Sequence, residues 1–366
     1  MAGGKKNRAT ADGRDRLSNL PDCLLHDILS RLDYRQAVQT CVLARRWPRL
    51  WCGAITCINI DSADFSTHEG GHRVSPRAKE EALARLEDFA DNLLLRRGLE
   101  PPLDALLLRV HGAGERRDTN VGRWVRRGLK MSPAALDVSG GDGHPINLDF
   151  LSSSVSVSGG GAGRLTRLRL DNVLLHYDFE YLLRSGGLPV LQDLEIINAV
   201  IVSGIWRISS DTLTSLAVVD ASCSRHSRCS VDIAAPHLAS LRLDFPQGRL
   251  SSVQFNIIVD GRASLVDASV RLLEDDGDDP DDNISDLCFL LKSLSSVTSL
   301  HLSGFQQTVP LLASRSSLFH RFDVIIFISY AHFLTLRALH YIAEADAVAG
   351  GAGSRGMLMD LCVIFS

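Results

Sequence analysis

The stretch nearest to a catalytic signature is His68-Glu69-Gly70-Gly71-His72, which fits His-Glu-x-x-His. In that arrangement a helix sets two imidazoles on one face to hold zinc, and the Glu acts as the general base of a hydrolase. Here two glycines fill the interior, together costing about 2 kcal/mol in helix propensity. The flanks, Asp64 to Thr67 and Arg73 to Pro76, lack helical character. A surface loop without zinc is expected. The Gly-rich "SGGGAG" at 158–163 lacks the Lys-Ser/Thr of a phosphate-binding loop, and the acidic "EDDGDDPDD" at 274–282 lacks the spacing and closing Glu of a calcium loop. Both read as exposed loops. No nucleophile elbow, Cys-His signature or nucleotide loop stands elsewhere, so no catalytic residues, metal or cofactor are expected.

Eight cysteines stand at 23, 41, 52, 57, 223, 229, 288 and 362, with no CxxC pair among them. They read as free thiols of a reducing compartment, cytoplasmic and/or nuclear. Residues 1–19 contain no apolar core, so no secretory signal is expected. The apolar run Val324 to Leu336 falls short of the roughly 20 residues needed to span a bilayer and reads as buried strand or helix.

A chain of 366 residues with 45% hydrophobic but only 6% aromatic content must fill its core with aliphatic side chains. The net charge of −4 implies no whole-chain attraction to nucleic acid or anionic membrane. Residues 1–15, with "KKNR" and Arg14, read as a solvated basic tail.

Leu20 to Trp51 forms a distinct unit. Leu25, Ile28, Leu29 and Leu32 recur at helical spacing, with Pro21 and Asp22 suited to a first turn. Asp33 and Gln36 have capping-box spacing for a second helix, whose apolar face is Ala37, Val38, Val42 and Leu43. Trp47, Leu50 and Trp51 give a third. A unit this small is marginal alone. Either it packs on the rest of the chain or it leaves an apolar patch for a partner.

The residues Leu20, Pro21, Leu24, Leu25, Ile28, Leu29, Leu32, Ala37, Val38, Thr40, Leu43, Arg46, Trp47, Leu50 and Trp51 follow the order and spacing of an F-box. The unit resembles that of plant F-box/leucine-rich-repeat proteins. The resemblance implies docking to a Skp-type adaptor within a cullin–RING ubiquitin ligase, through Leu20, Pro21, Leu24, Leu25, Ile28, Val42, Leu43 and Trp47. Two positions depart from the pattern. Ala44 replaces a common Ser that would cap the third helix, a difference of about 1 kcal/mol. Pro48 sits just inside that helix, where a first turn tolerates it. Neither departure defeats the resemblance, although both lie where they can reduce adaptor affinity.

Residues 58–76 read as linker, and a helix is expected over 78–97 with Ala82, Leu83, Leu86, Phe89, Ala90, Leu93 and Leu94 on one face. Beyond it LxxLxL-like segments begin at Leu103, Leu165, Leu191, Leu213, Leu238, Leu265 and Val297, with a degenerate "ALDV" at Ala135. A period in the twenties is the signature of leucine-rich repeats, each supplying a short strand and unable to bury its apolar face alone. The expected fold is α/β: a three-helix F-box over 16–57, linker and helix over 58–100, a curved leucine-rich-repeat solenoid with a parallel concave sheet over 101–310, and a divergent segment over 311–366. Period-two alternation puts Leu168, Leu170, Leu194, Leu216, Leu241 and Leu243 inside. It puts Arg167, Arg169, Asp193, Glu195, Arg242, Asp244 and His301 on the concave face, where a target protein would bind. The function expected is that of a ligase's substrate receptor. The competing reading is a non-ligase scaffold whose helical unit packs intramolecularly.

Overall fold

Ile58 and Ile60, two residues apart and both fully buried, set the pattern that the chain repeats. They belong to a five-residue strand that hydrogen-bonds to a parallel neighbour, and eight more strands complete the same sheet. The computed structural model describes residues 20–32, 34–40, 47–66, 75–99, 101–112, 114–141, 143–148, 162–184, 186–202, 205–223, 229–245, 253–257, 265–272, 290, 294, 297–303 and 323–327. The His68–His72 stretch and the acidic run 274–282, both expected to be loops, and most of 158–163 and 311–366 lie outside them.

Three short helices open the fold: α1 (Asp22–Ser30), α2 (Tyr34–Gln39) and α3 (Trp47–Ala54). Strand β1 (Cys57–Asp61) comes almost at once, then a 3-10 turn (Ser62–Phe65) and α4 (Pro76–Arg96). Ser75 caps α4, its Oγ accepting from the Ala78 N–H at 3.2 Å, with Pro76 in the first turn. Next come β2 (Ala105–Arg109), α5 (Glu115–Leu129), β3 (Ala135–Ser139), β4 (Ile146–Asn147), β5 (Arg167–Asp171), β6 (Val173–Leu175) and α6 (Tyr177–Arg184). The remaining strands are β7 (Asp193–Ile197), β8 (Val200–Ile201), β9 (Ile205–Ser209), β10 (Ser215–Val219), β11 (Ser222–Cys223), β12 (Cys229–Ala234), β13 (Ser240–Phe245), β14 (Val253–Ile257), β15 (Asp267–Leu272), β16 (Ser299–Ser303) and β17 (Asp323–Phe327).

The largest sheet has ten strands in the order β1-β2-β3-β5-β7-β10-β13-β15-β16-β17, every neighbouring pair parallel. Two smaller parallel sheets, β11-β8-β6-β4 and β14-β12-β9, take the intervening segments. Each expected repeat motif delivers one strand of the large sheet, in the expected register. Leu106, Leu136, Leu168, Leu194, Leu216, Leu241, Ala268 and Leu300 pair in one unbroken buried row. The sheet also runs past the motifs. The segment expected to be linker from residue 58 begins as β1, because Ile58 and Ile60 alternate correctly without any LxxLxL. At the other end the apolar run near Val324 supplies β17, which pairs with β16.

The turn leaving each strand has its own chemistry. Asn172, Asn198 and Asp220, just after β5, β7 and β10, have φ of 52°, 49° and 55°, a region Asn and Asp tolerate better than other side chains. Their N–H groups donate to the carbonyls of Ile197, Val219 and Asp244, each at 2.9 Å, so every one of these turns is tied to the next strand of the sheet.

Helix α5 packs on α4 through ions as well as apolar residues. Glu87 accepts from Arg116 at 2.8 and 2.6 Å and from the Asn120 amide at 2.5 Å. Asp91 gathers Arg123, Arg127 and the indole N–H of fully buried Trp124 within 2.8–3.1 Å. Cys23, Cys52 and Cys57 stand outside any disulfide, but Cys223 is disulfide-bonded, contrary to the expectation of reduced thiols throughout. No helix among the described residues is long and apolar enough to cross a membrane.

Candidate functional site

Two surfaces are built from the residues the sequence singles out. The first is α1. Leu25 and Leu29, four residues apart, are fully buried against the core. Leu24 and Ile28 form the adjacent stripe and stand 50% and 38% exposed, with Pro21 exposed beside them and Leu20 half-buried. A Cβ at Gly53 of α3 would come within 3.3 Å of the His26 ring, so a glycine there lets α1 lie close on α3.

The expected docking set therefore divides. Pro21, Leu24 and Ile28 are open. Leu25 is not on the surface as expected: its position one residue on turns it about 100° around the helix from Leu24, into the core. Trp47 is 3% exposed and faces the interior as well, its indole N–H without a partner among the described residues. Val42, Leu43 and Ala44 lie outside the described residues, and Pro48 falls in the first turn of α3.

The helical unit is welded to the 3-10 turn and to α4. The Tyr34 hydroxyl donates to Asp64 Oδ2 at 3.2 Å, and Arg35 donates to the Asp64 carbonyl at 3.0 Å while its guanidinium lies 5.2 Å from the Phe65 ring centre. Phe89 of α4 meets both the Tyr34 and Phe65 rings, at 6.0 and 5.4 Å. Burial first, then the Asp64 charge, drives the Tyr34 phenol far above its usual range, so it stays a donor. At the end of α4, Arg97 is 2% exposed. Its Nη2 reaches the Ile55 carbonyl at 3.4 Å, its Nε and Nη1 have no partner among the described residues, and burial lowers its pKa.

The second surface is the outward face of the ten-stranded sheet. Arg167 pairs with Asp193 at 3.5 Å. Arg169 lies between Asp137 at 4.0 Å and Glu195 at 3.5 Å. All have the expected parity and reach solvent, as do Arg242 and His301. Asp244 does not. It is 6% exposed, with Oδ2 held by Arg242 at 2.6 and 3.1 Å and Oδ1 unpartnered among the described residues. It shares the outward parity, but the Arg242 side chain folds back over it, so Asp244 anchors Arg242 instead of meeting a partner. The His301 ring lies 3.3 Å from Ser299 Oγ.

Further carboxylates of this face stand beyond the seven residues expected to meet a target, among them Asp137 and Asp171. Asp137, on the degenerate "ALDV" strand, is pushed above the usual aspartate range by burial, against the pull of Arg169 and Arg109 and with the help of Asp171 and Glu195. Asp171 ends β5 and accepts from Ser139 Oγ at 3.2 Å and Asn198 Nδ2 at 3.3 Å, with no ion-pair partner among the described residues. The same parity rule reaches both, Asp137 as the middle residue of β3 and Asp171 as the last of β5. No group of three or more His, Cys, Asp or Glu able to hold a metal stands among the described residues.

The F-box domain family matches residues 17–56, which take in α1 to α3. The chain is similar to the MEIOTIC F-BOX protein MOF of Oryza sativa subsp. japonica, 36% identical over 324 residues, or 84% of this chain and 64% of that protein. An F-box/FBD/LRR-repeat protein of Arabidopsis thaliana is 27% identical over 80% of this chain and 65% of its own length. An F-box/LRR-repeat protein of the same plant is 25% identical over 80% and 59%. The chain thus spans less than two thirds of the length of these relatives. With an F-box at its front and a likeness to such proteins that runs through the sheet strands, the chain belongs to the plant F-box/leucine-rich-repeat family.

Proposed function

We propose that the chain is the target-receptor subunit of a Skp–cullin–F-box ubiquitin ligase. The observation that carries this reading is the F-box match together with Pro21, Leu24 and Ile28 left open on α1, where an isolated helix of this size would gain by covering them. A Skp-type adaptor takes that stripe, extended by Leu20 and by the segment that holds Val42 and Leu43. Leu25 and Trp47 support it from behind. The strands of the large sheet belong to a leucine-rich-repeat solenoid, and its outward face takes the target protein. The receptor itself supplies no bond-making group. It raises the effective concentration of the target's lysines near the ubiquitin carrier. Residence is cytoplasmic and/or nuclear.

A second reading has an observation in its favour. Burial of Leu25 and Trp47, and the Tyr34–Asp64 contact, fit a helical unit that only packs on its own sheet, as in a scaffold. Copurification decides between them. The full chain is expected to hold a Skp-type adaptor in a stoichiometric complex, and Leu24→Asp with Ile28→Asp to release it. Absence of that complex with the unaltered chain favours the scaffold.

A further inference from the structure

The outward sheet face is not evenly charged. On β3, β5 and β7 it carries Asp137, Asp171, Asp193 and Glu195 against only Arg167 and Arg169. Arg167 is engaged by Asp193, and Arg169 is shared by Asp137 and Glu195. Asp171 has hydroxyl and amide donors but no cation among the described residues. This stretch therefore holds two more negative than positive charges at neutral pH, in a half-buried setting where the deficit is poorly screened.

The strands further along differ. Next to Glu195 in the ladder comes Ala217 of β10, flanked along its strand by Ser215 and Val219. Ser240 of β13 stands beside Ser215, while the row of Ala217 passes to Arg242 of β13 and then to Ser269 of β15, so the small side chains centre on β10. Arg242 and Asp244 there neutralise each other. A partner's backbone can approach closely over β10, about 4.8 Å from the strand that carries Glu195.

We infer that this face recognises a lysine- or arginine-bearing segment of a protein target, whose cation enters between Asp137, Asp171 and Glu195 while its neighbouring small or apolar side chains lie on Ala217. The inference rests on the reading of the sheet face as the target surface and adds the target's chemistry. The added cation answers what Arg167 and Arg169 leave unmatched, for Arg109 of the neighbouring β2 is itself engaged by Asp61 at 3.5 Å. An acidic segment would meet like charge, and the net charge of −4 makes nucleic acid a poor occupant of the same face.

The test uses the full chain bound to a Skp-type adaptor. The probes are two labelled synthetic peptides of equal length built on alanine and leucine, one with lysines and the other with glutamates at the same positions. The lysine peptide is expected to bind about tenfold more tightly, and to weaken markedly between about 0.05 M and about 0.5 M salt. The variant Asp137→Asn with Glu195→Gln is expected to lose that preference, and Asp88→Asn on α4 to keep it. Equal binding of the two peptides by the unaltered chain, or an undiminished lysine preference in the double variant, overturns the inference. If the double variant melts early, Glu195→Lys alone replaces it, and the expected outcome is a reversed preference. Adaptor retention, read in the same samples, reports on the F-box separately. A retained adaptor with indifferent peptides counts against the charge inference alone.

Discussion

Helix α1 and the outward face of the ten-stranded sheet both meet solvent, and they do so in opposite ways. On α1 the open side chains include Leu24 and Ile28, an apolar pair left uncovered by the described chain among the polar Asp22, Asp27 and Ser30. On the sheet the open side chains are ionised and mostly matched to one another, Arg167 to Asp193 and Arg169 to Asp137 and Glu195. Covering the first surface removes apolar area from water, a gain that is large and tolerant of partner detail. Covering the second exchanges existing ion pairs for new ones, so it discriminates among partners more than it holds them. The two suit a constant partner and a chosen one.

The largest expected effects lie beneath both surfaces and test whether inside and outside are correctly told apart. Leu241→Ala and Leu25→Ala should each destabilise by about 2–5 kcal/mol in denaturant melts, since each empties a filled core position. If Leu25→Ala left the melt unchanged while abolishing adaptor capture, Leu25 would belong to the open stripe after all.

Arg242→Ala sharpens the contrast within the sheet. A wholly solvated arginine could be lost at little expense, but here the change strands buried Asp244 without its partner. A loss of about 1–3 kcal/mol is expected, and the double change Arg242→Ala with Asp244→Ala should recover part of it. No recovery in that thermodynamic cycle would show that the pair is not the cause.

Leu24→Asp with Ile28→Asp should shift stability by no more than about 0.5 kcal/mol, as at other solvated positions, while removing adaptor binding in pulldowns. A large drop in melting temperature would mean that these side chains are more enclosed than their exposure indicates.

The smallest effect concerns Asp137, whose carboxyl burial holds above its ordinary range. The folded state then binds the proton more tightly than the unfolded chain, so this group lowers stability as pH rises through the folded value. Asp137→Asn should be neutral or slightly stabilising at neutral pH. The difference from the unaltered chain should close as pH falls below the ordinary aspartate range. A variant less stable at pH 7 would mean that Arg169 outweighs burial.

The register of the large sheet was legible because Leu168, Leu194, Leu216 and Leu241 recur with a fixed parity that a one-residue slip would invert. β1 was missed because Ile58 and Ile60 alternate without the motif around them. α5 was missed although Val121, Trp124, Val125 and Leu129 keep helical spacing, for its many arginines mask the pattern. The two-residue strands β8 and β11 are too short to show any period; hydrogen bonds between turns create them. On α1 spacing alone could not separate Leu25 from Ile28. Which of two adjacent stripes faces inward depends on where α3 lies, and that is a tertiary fact.

Strand β1 fixes the distance between the two surfaces. Only Ile55 and Thr56 separate α3 from this strand, which is hydrogen-bonded along its length to β2, and Tyr34 and Arg35 tie α2 to Asp64 in the turn just after it. The F-box is in effect the zero mark of a ruler whose graduations are strands, each about 4.8 Å from the last. Anything seated on β5 or β13 stands at a set number of divisions from α1. Inserting or deleting one turn of chain between them would move that cargo by a whole division. Reach from α1 would thus change in discrete steps, through the number of strands and not through the stiffness of a tether.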